Sequence, residues 1–152
     1  MNLLSKEYSV LGKRSLKSRP SALISVVSLY FILAMPGSAD QTVDSLPPVV
    51  VKTIPESGTK AVPPGVAEIR ITFSKDMADR SWSFCEPWSG ANATVVDGPA
   101  YENDKRTVVL KVKLEPAKTY AYWLNTNQFQ NFRDRTGNPA VPYLLVFQTS
   151  TK

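Results

Sequence analysis

The chain has 152 residues, enough for one domain, and most of its net charge of +5 lies in its first 39 residues. That segment contains five basic residues and one acidic residue, so the rest of the chain carries a net charge of only +1. Because nucleic-acid binding needs clustered basic side chains on phosphates, this distribution argues against it. The chain also lacks histidine, which removes the commonest general base and the commonest metal ligand.

Residues 1–39 have the pattern of a secretory signal peptide. A basic stretch is followed by an apolar run of about 13 residues, from Ala22 to Ala34, and then by small residues up to Ala39. The run is shorter than the ~20 apolar residues of a membrane-spanning helix. We therefore expect export, cleavage after Ala39 and no membrane span in the mature chain. An uncleaved membrane anchor is the alternative.

Residues 40–46 are polar and are predicted to form a flexible lead-in to a single domain at residues 47–150. Within the domain, short β-branched or alternating segments are separated by Pro, Gly, Asn and Asp. The first segment, at residues 49–54, is bracketed by prolines, which favours an edge strand. The other predicted strands are residues 68–73, 81–84, 93–96, 107–114, 119–125 and 143–149.

The strand pattern also predicts which side chains are buried. In the clearest strand, residues 107–114, apolar residues alternate with polar ones. The chain contains twelve prolines and no helical periodicity of useful length. About seven short strands of this kind predict an all-β fold, an antiparallel β-sandwich. We expect six core positions in it: Ile71, Phe73, Leu110, Val112, Tyr122 and Phe147.

Leu114, Pro116 and Tyr120 have the Leu-x-Pro-x-x-x-Tyr spacing of a tyrosine corner. In β-sandwiches the hydroxyl of such a tyrosine forms a hydrogen bond with the backbone a few residues upstream, where the chain crosses between the sheets. The position of Tyr120 at the start of a predicted strand favours the corner. A core tyrosine without such a bond is the alternative.

Six segments occur in an order that is typical of one family: residues 47–50, 53–58, 67–77, 114–120, 134–139 and 146–149. In this order they resemble the bacterial Ig-like domain family of the SbsA type, named after a surface-layer protein. The resemblance implies an immunoglobulin-like sandwich that serves as a spacer, surface or interaction module, usually within larger exported proteins. The chain departs from the family as a lone module with an aromatic-rich stretch at residues 82–88. We therefore carry over the fold and not the architectural role.

No side-chain pattern in the sequence points to catalysis, a metal or a cofactor. Cys85 has no histidine partner, and we interpret it as a small buried apolar residue. Asp76 and Asp79 are close in sequence but lie in a predicted turn, where solvated carboxylates are normal. Copper carriers of the CopC type have a similar sandwich, but they bind copper through histidine and methionine-rich segments, which this chain lacks. We therefore expect a protein that is not an enzyme and needs no cofactor.

The chain has more aromatic residues than a sandwich of this size requires. Trp123 is predicted on the strand face opposite the core, and the loop at residues 125–132 combines phenylalanine with asparagine and glutamine. Rings and amides together are suited to carbohydrate or peptide binding. The alternative, which the sequence favours, is that these aromatics cap the open ends of the sandwich. The candidate binding surface comprises Trp123, Phe129, Phe132, Trp82 and Trp88.

These observations predict a non-catalytic structural or interaction module of the bacterial envelope, in the periplasm or at the cell surface. Its expected partner is another envelope protein or a cell-surface polymer, bound by a monomer or by a weakly self-associating domain. One alternative is an accessory subunit of an envelope enzyme, either regulatory or substrate-presenting. Another is a carbohydrate-binding module that uses the exposed aromatics.

Overall fold

The computed structural model of the chain describes residues 40–152. The predicted signal peptide at residues 1–39, its cleavage site and the anchor alternative lie outside the described residues. Residues 40–152 form strands, turns and loops. This described part contains no helix with the length and hydropathy that a membrane crossing requires.

Within residues 40–152, seven strands form two antiparallel sheets. The first sheet has four strands in the order β1-β2-β5-β4, and the second has three in the order β3-β6-β7. This strand set is that of a constant-type immunoglobulin sandwich, so the predicted all-β, immunoglobulin-like fold is confirmed. The strands are β1 Val50–Ile54, β2 Gly65–Phe73, β3 Phe84–Cys85, β4 Thr94–Tyr101, β5 Thr107–Leu114, β6 Thr119–Leu124 and β7 Tyr143–Gln148.

Alternation of apolar residues along β5 and β2 builds the core between the sheets. Every second residue of β5 from Val108 to Leu114 is at most 3% exposed, whereas Lys111 and Lys113 face solvent. β2 pairs with β5 over eight consecutive positions without a register shift. The six side chains that the sequence predicts in the core are all buried, as predicted. Truncation of one such buried aliphatic residue costs about 2–5 kcal/mol.

The edges of the four-stranded sheet are irregular. β1 forms one edge, as predicted, with a register shift between Val50 and Lys52. β4 forms the other edge and continues to Tyr101, although the sequence predicts an end at residue 96. β4 has two register shifts, and the second, between Asp97 and Ala100, spans Gly98 and Pro99. The strand continues through Pro99 because, on an edge strand, the missing N–H of a proline can face solvent, where no neighbouring strand needs it.

The edges of the three-stranded sheet are formed by different means. After β1 the chain crosses to this sheet, where residues 57–62 run along β7. Gly58 N donates to Val146 O at 2.7 Å, and Gln148 N donates to Thr59 O at 2.7 Å. The outer edge of β7 is therefore covered by the protein's own backbone. The opposite edge is β3, which is only two residues long.

A buried ion pair connects two of the segments that carry the family resemblance. Lys75 Nζ lies 2.6 Å from Asp134 Oδ2, and the two side chains are 11% and 4% exposed. The same Nζ donates to the carbonyl oxygens of Asp44 and Leu46, at 3.0 and 2.6 Å. Asp134 begins the turn predicted at residues 134–139 and accepts further hydrogen bonds from it. The pair therefore holds the lead-in and this turn against the end of β2.

Candidate functional site

The loop between β6 and β7 is closed at its base by a buried asparagine. Asn125 directly follows β6 and is fully buried. Its Nδ2 donates to the carbonyl oxygens of Phe132 and Ala140, at 2.9 and 3.0 Å. Its Oδ1 accepts from Phe132 N at 2.9 Å. Because these bonds satisfy a buried amide, they fix the two ends of the loop against each other.

The tip of the same loop holds an aromatic ring in solvent. Thr126 N donates to Phe129 O at 2.8 Å. The Oγ1 atom of Thr126 accepts from Gln128 N at 3.2 Å and from Phe129 N at 3.1 Å. Phe129 is nevertheless 56% exposed. Polar contacts within the turn, rather than core packing, therefore position this ring, which lowers the ordering cost of any contact it makes.

A first groove, of about 510 Å³, lies on one side of Phe129 and outside the three-stranded sheet. We call it the outer groove. Trp123 belongs to its wall because it pairs with Cys85 on β3 and with Leu144 on β7, on the face away from the core. Trp123 is half-buried there. The outer groove is lined mainly by Trp123, Phe129, Cys85, Asn127, Gln128 and Pro142.

A second groove, of about 610 Å³, lies on the other side of Phe129, where the edges of the two sheets face each other. We call it the edge groove. Leu110 of β5 and Tyr122 of β6 line it as well, although they are only 3% and 1% exposed. The edge groove therefore reaches the core through the open side of the sandwich. Its walls include Trp82, Phe84, Val95, Pro99, Phe129 and Asn131.

The structure brings three of the five predicted binding residues together. Trp123 and Phe129 line the outer groove, and Phe129 and Trp82 line the edge groove. Trp88 is 49% exposed but lines neither of them. Of the five predicted residues, Phe129 is the one that lines both grooves.

The prediction that Phe132 belongs to the exposed surface is wrong. Phe132 is fully buried, and its ring centroid lies 5.1 Å from those of both Phe73 and Phe84. The cause is the amide of Asn125, which binds the backbone of Phe132 from both sides and turns the ring into the core. For Phe132, the alternative that the aromatics cap the sandwich is correct.

One wall of the edge groove is not predicted by the sequence. Val95 and Pro99 form it, and they lie on the part of β4 that was predicted to be a short strand and a turn. The signal available in the sequence was Pro99, because a proline within a strand is confined to a sheet edge or a bulge.

The two grooves contain one thiol and one carboxylate. Cys85 is half-buried rather than buried. Burial raises the pKa of its thiol, opposed by a hydrogen bond with Thr126, so the neutral thiol predominates at neutral pH. Glu86 is the only charged side chain in either lining within residues 40–152, and its Oε1 accepts from Gly90 N at 2.7 Å. The grooves are therefore aromatic and weakly negative.

The carboxylates considered for catalysis have structural contacts instead. Asp76 Oδ1 lies 2.8 Å from Arg106 Nε in an ion pair. Asp79 Oδ1 accepts a hydrogen bond from Arg80 N at 2.9 Å. Across the described part of the chain, no three or more carboxylate or thiol side chains are grouped so that they could hold a metal ion.

Tyr120 lies at the start of β6 and is fully buried. Its hydroxyl accepts a hydrogen bond from Glu115 N at 2.7 Å, five residues upstream. Leu114 is buried at the end of β5, while Pro116 is exposed in the connection between the strands. This backbone bond has the geometry of a tyrosine corner.

The strand order and the bond made by Tyr120 define a sandwich of the immunoglobulin-like class. The family model described as bacterial Ig-like domain matches residues 44–149, which are most of the chain. The chain belongs to the bacterial Ig-like domain family, and the resemblance seen in the sequence is confirmed at this level. Membership indicates a non-catalytic module of a kind usually found in exported or surface proteins. No curated protein and no solved structure gives a significant match.

Proposed function

We propose that the chain is an exported interaction module of the bacterial envelope, of the SbsA type, and that it binds a partner protein through the grooves beside Phe129. The observation that carries the proposal is the exposure of Phe129, which a hydrogen-bonded turn holds between two concave surfaces. Exposed apolar groups next to a cleft usually mark interaction sites. Aromatic residues supply much of the binding energy at such sites.

The composition of the grooves supports a protein partner. Their volumes lie within the usual range for binding sites. Their walls combine Trp82, Phe84, Trp123 and Phe129 with a single carboxylate, Glu86. The cores of protein interfaces are likewise enriched in aromatic residues and depleted of charge.

Replacement of Phe129 by alanine tests this function. We expect Phe129→Ala to weaken capture of the partner by about tenfold or more, since truncation of an aromatic hot spot costs ~2 kcal/mol or more. Trp88→Ala is the matched control, because Trp88 is 49% exposed, close to the 56% of Phe129, but lies outside both grooves. The measurement is affinity purification of the tagged chain from envelope extract, with quantification of co-purified proteins. Equal capture by the two variants would contradict the proposal.

A carbohydrate ligand is the second candidate, and one observation favours it. The exposed amide side chains of Asn127 and Gln128 line the outer groove beside Trp123 and Phe129. Stacking rings beside amide donors and acceptors suit a neutral sugar. Affinity electrophoresis of the chain in neutral polysaccharide gels separates this candidate from a protein partner.

A further inference from the structure

One sheet edge of this domain lacks the features that protect the others. The edge at β1 has a register shift beside Lys52, and the edge at β4 has two register shifts together with Asp97 and Pro99. The edge at β7 is covered by residues 57–62. Such shifts, charges, prolines and coverings are the usual means of preventing unwanted strand pairing. At β3, residues 82–85 contain no proline, charged residue or register shift, so only the two-residue length of the strand limits pairing there.

The backbone of β3 presents hydrogen-bonding groups to the edge groove. Asn125 N donates to Ser83 O at 3.2 Å, and Cys85 is paired with Trp123, so the residues on either side of Phe84 direct their backbone polar groups toward β6. Alternate residues of an antiparallel strand direct their N–H and C=O groups to opposite sides. The N–H and C=O of Phe84 therefore point away from β6, toward the free edge. This N–H donor and this C=O acceptor are placed so that an added strand could form a pair of backbone hydrogen bonds with Phe84.

The edge groove occupies the position of an additional strand. Variable-type immunoglobulin sandwiches carry extra strands beside the equivalent of β3, whereas this constant-type set ends there. Residues 82–86 form one wall of the edge groove and Val95 and Pro99 form the other. Leu110 and Tyr122 lie between these walls. An extended segment placed there would cover core side chains that otherwise border an opening.

Polar groups in the edge groove indicate the chemistry of its occupant. Asn92 lines the groove, and its Oδ1 is buried without a hydrogen-bond partner in the described part of the chain. A buried acceptor of this kind normally has a partner, and a backbone N–H of an added segment would supply one. Glu86 is the only charge in the lining within residues 40–152, so it favours a segment that is neutral or basic.

We propose that the edge groove accepts one extended segment of the partner protein, which pairs with β3 as a fourth strand of its sheet and directs alternate apolar side chains over Leu110 and Tyr122. This inference rests on the proposed function, because Phe129 and Trp82 border the same groove. Residues 82–86 on one side and Val95 and Pro99 of β4 on the other enclose the groove, which suits a single segment better than the open edge-to-edge contact of a second copy.

Amide hydrogen exchange of the full chain with a designed peptide tests the pairing. The probe is a peptide of about seven residues, alternating valine with threonine between terminal lysines, a usual strand length. We expect the Phe84 amide to exchange freely in the chain alone and about tenfold or more slowly with saturating peptide. The amides at the β1 and β4 edges are the internal controls and should not change.

Two N-methylated peptides test whether the backbone, and not only the side chains, is recognised. One is methylated at every odd residue and the other at every even residue, so each loses the N–H groups of one strand edge. We expect one peptide to lose binding by at least about tenfold and the other to keep it. Equal binding by both, or equal loss from both, would overturn strand pairing.

Val95→Arg tests the opposite wall of the edge groove. Val95 is 54% exposed and lines the groove, whereas Val96 is 52% exposed, adjacent in sequence and outside it, so Val96→Arg is the matched control. We expect only Val95→Arg to weaken peptide binding, by about tenfold.

Absence of peptide binding at millimolar concentration, protection at β1 or β4 instead of Phe84, or peptide-independent dimerisation would each overturn the inference. If Phe129→Ala abolishes partner capture while Val95→Arg does not, the proposed function stands and strand addition is wrong.

Discussion

Two buried polar side chains, Asn125 and Asp134, organise the loops at one end of the sandwich. Each forms hydrogen bonds with nearby backbone or side-chain groups of the protein rather than with solvent. The sequence shows an asparagine in a polar loop but not which carbonyl groups it binds, so the pattern alone indicates a ligand-binding amide at Asn125. For this reason the sequence predicts both rings at the surface, whereas Asn125 binds the backbone of Phe132, whose ring packs in the core, and Phe129 remains exposed.

The carboxylate of Asp134 makes stability depend on pH in the acidic range. Burial raises the pKa of this carboxyl, but hydrogen bonds from Lys75, Thr136 and Asn138 lower it by more, so it lies well below its ordinary value of 3.8. A lowered folded-state pKa gives stability that is complete above the unfolded pKa and is lost as pH falls through the folded one. We therefore expect urea denaturation to show falling stability below about pH 4.

Asp134→Asn is the corresponding variant. It removes the charge that pairs with Lys75 and leaves a nearly buried ammonium group unpaired, which costs about 3–5 kcal/mol near neutral pH. The acid-dependent part of the stability should also diminish in this variant. Asp97→Asn is the control, because Asp97 is exposed on β4 and forms no ion pair within the described residues. Equal pH profiles for both variants would contradict the assignment.

At the scale of elements, the strands with continuous alternation were predictable and the irregular ones were not. β5 and β2 have long alternating stretches, and the register between them is unbroken, so sequence and structure agree on their inner faces. β4 has two register shifts, one of which spans Gly98 and Pro99, and only the sheet edge permits a proline there. The sequence predicts β3 at residues 81–84, but the strand is only Phe84–Cys85, where the chain pairs with Leu124 and Trp123 of β6. Both strands whose bounds differ from the prediction, β3 and β4, line the edge groove, so the sequence could not predict the walls of this groove.

The connection between β5 and β6 gives a test of the tyrosine corner. Tyr120→Phe keeps the buried ring but leaves Glu115 N without its acceptor, so we expect a loss of about 1–3 kcal/mol in unfolding free energy. Tyr143→Phe is the matched control, since Tyr143 packs against the same core but is only half-buried. Its effect should stay within about 0.5 kcal/mol. Urea denaturation measures both, and a similar small loss from the two variants would mean that the Tyr120 bond contributes little.

Across the whole domain, the two outer sheet faces differ in chemistry. The outer face of the four-stranded sheet carries charges, including Arg70, which pairs with Glu68 and Glu102. The outer face of the three-stranded sheet instead presents Trp123 and Leu144, and the outer groove adjoins it. Charged faces resist association and apolar ones favour it. The proposed binding function therefore belongs to one side of the sandwich, the side that includes β3 and the loop of Phe129.

Export is the prediction that concerns the chain as a whole. The first 39 residues account for most of the net charge of +5, so cleavage after Ala39 would release a domain with a net charge of +1. We expect the intact mass of the exported product to begin at Asp40. Ala39→Leu should block processing because the cleavage position requires a small residue, whereas Ser38→Leu, at the permissive position between two small residues, should be processed normally. An exported product that retains residues 1–39 in the unaltered chain would contradict cleavage and support the membrane anchor.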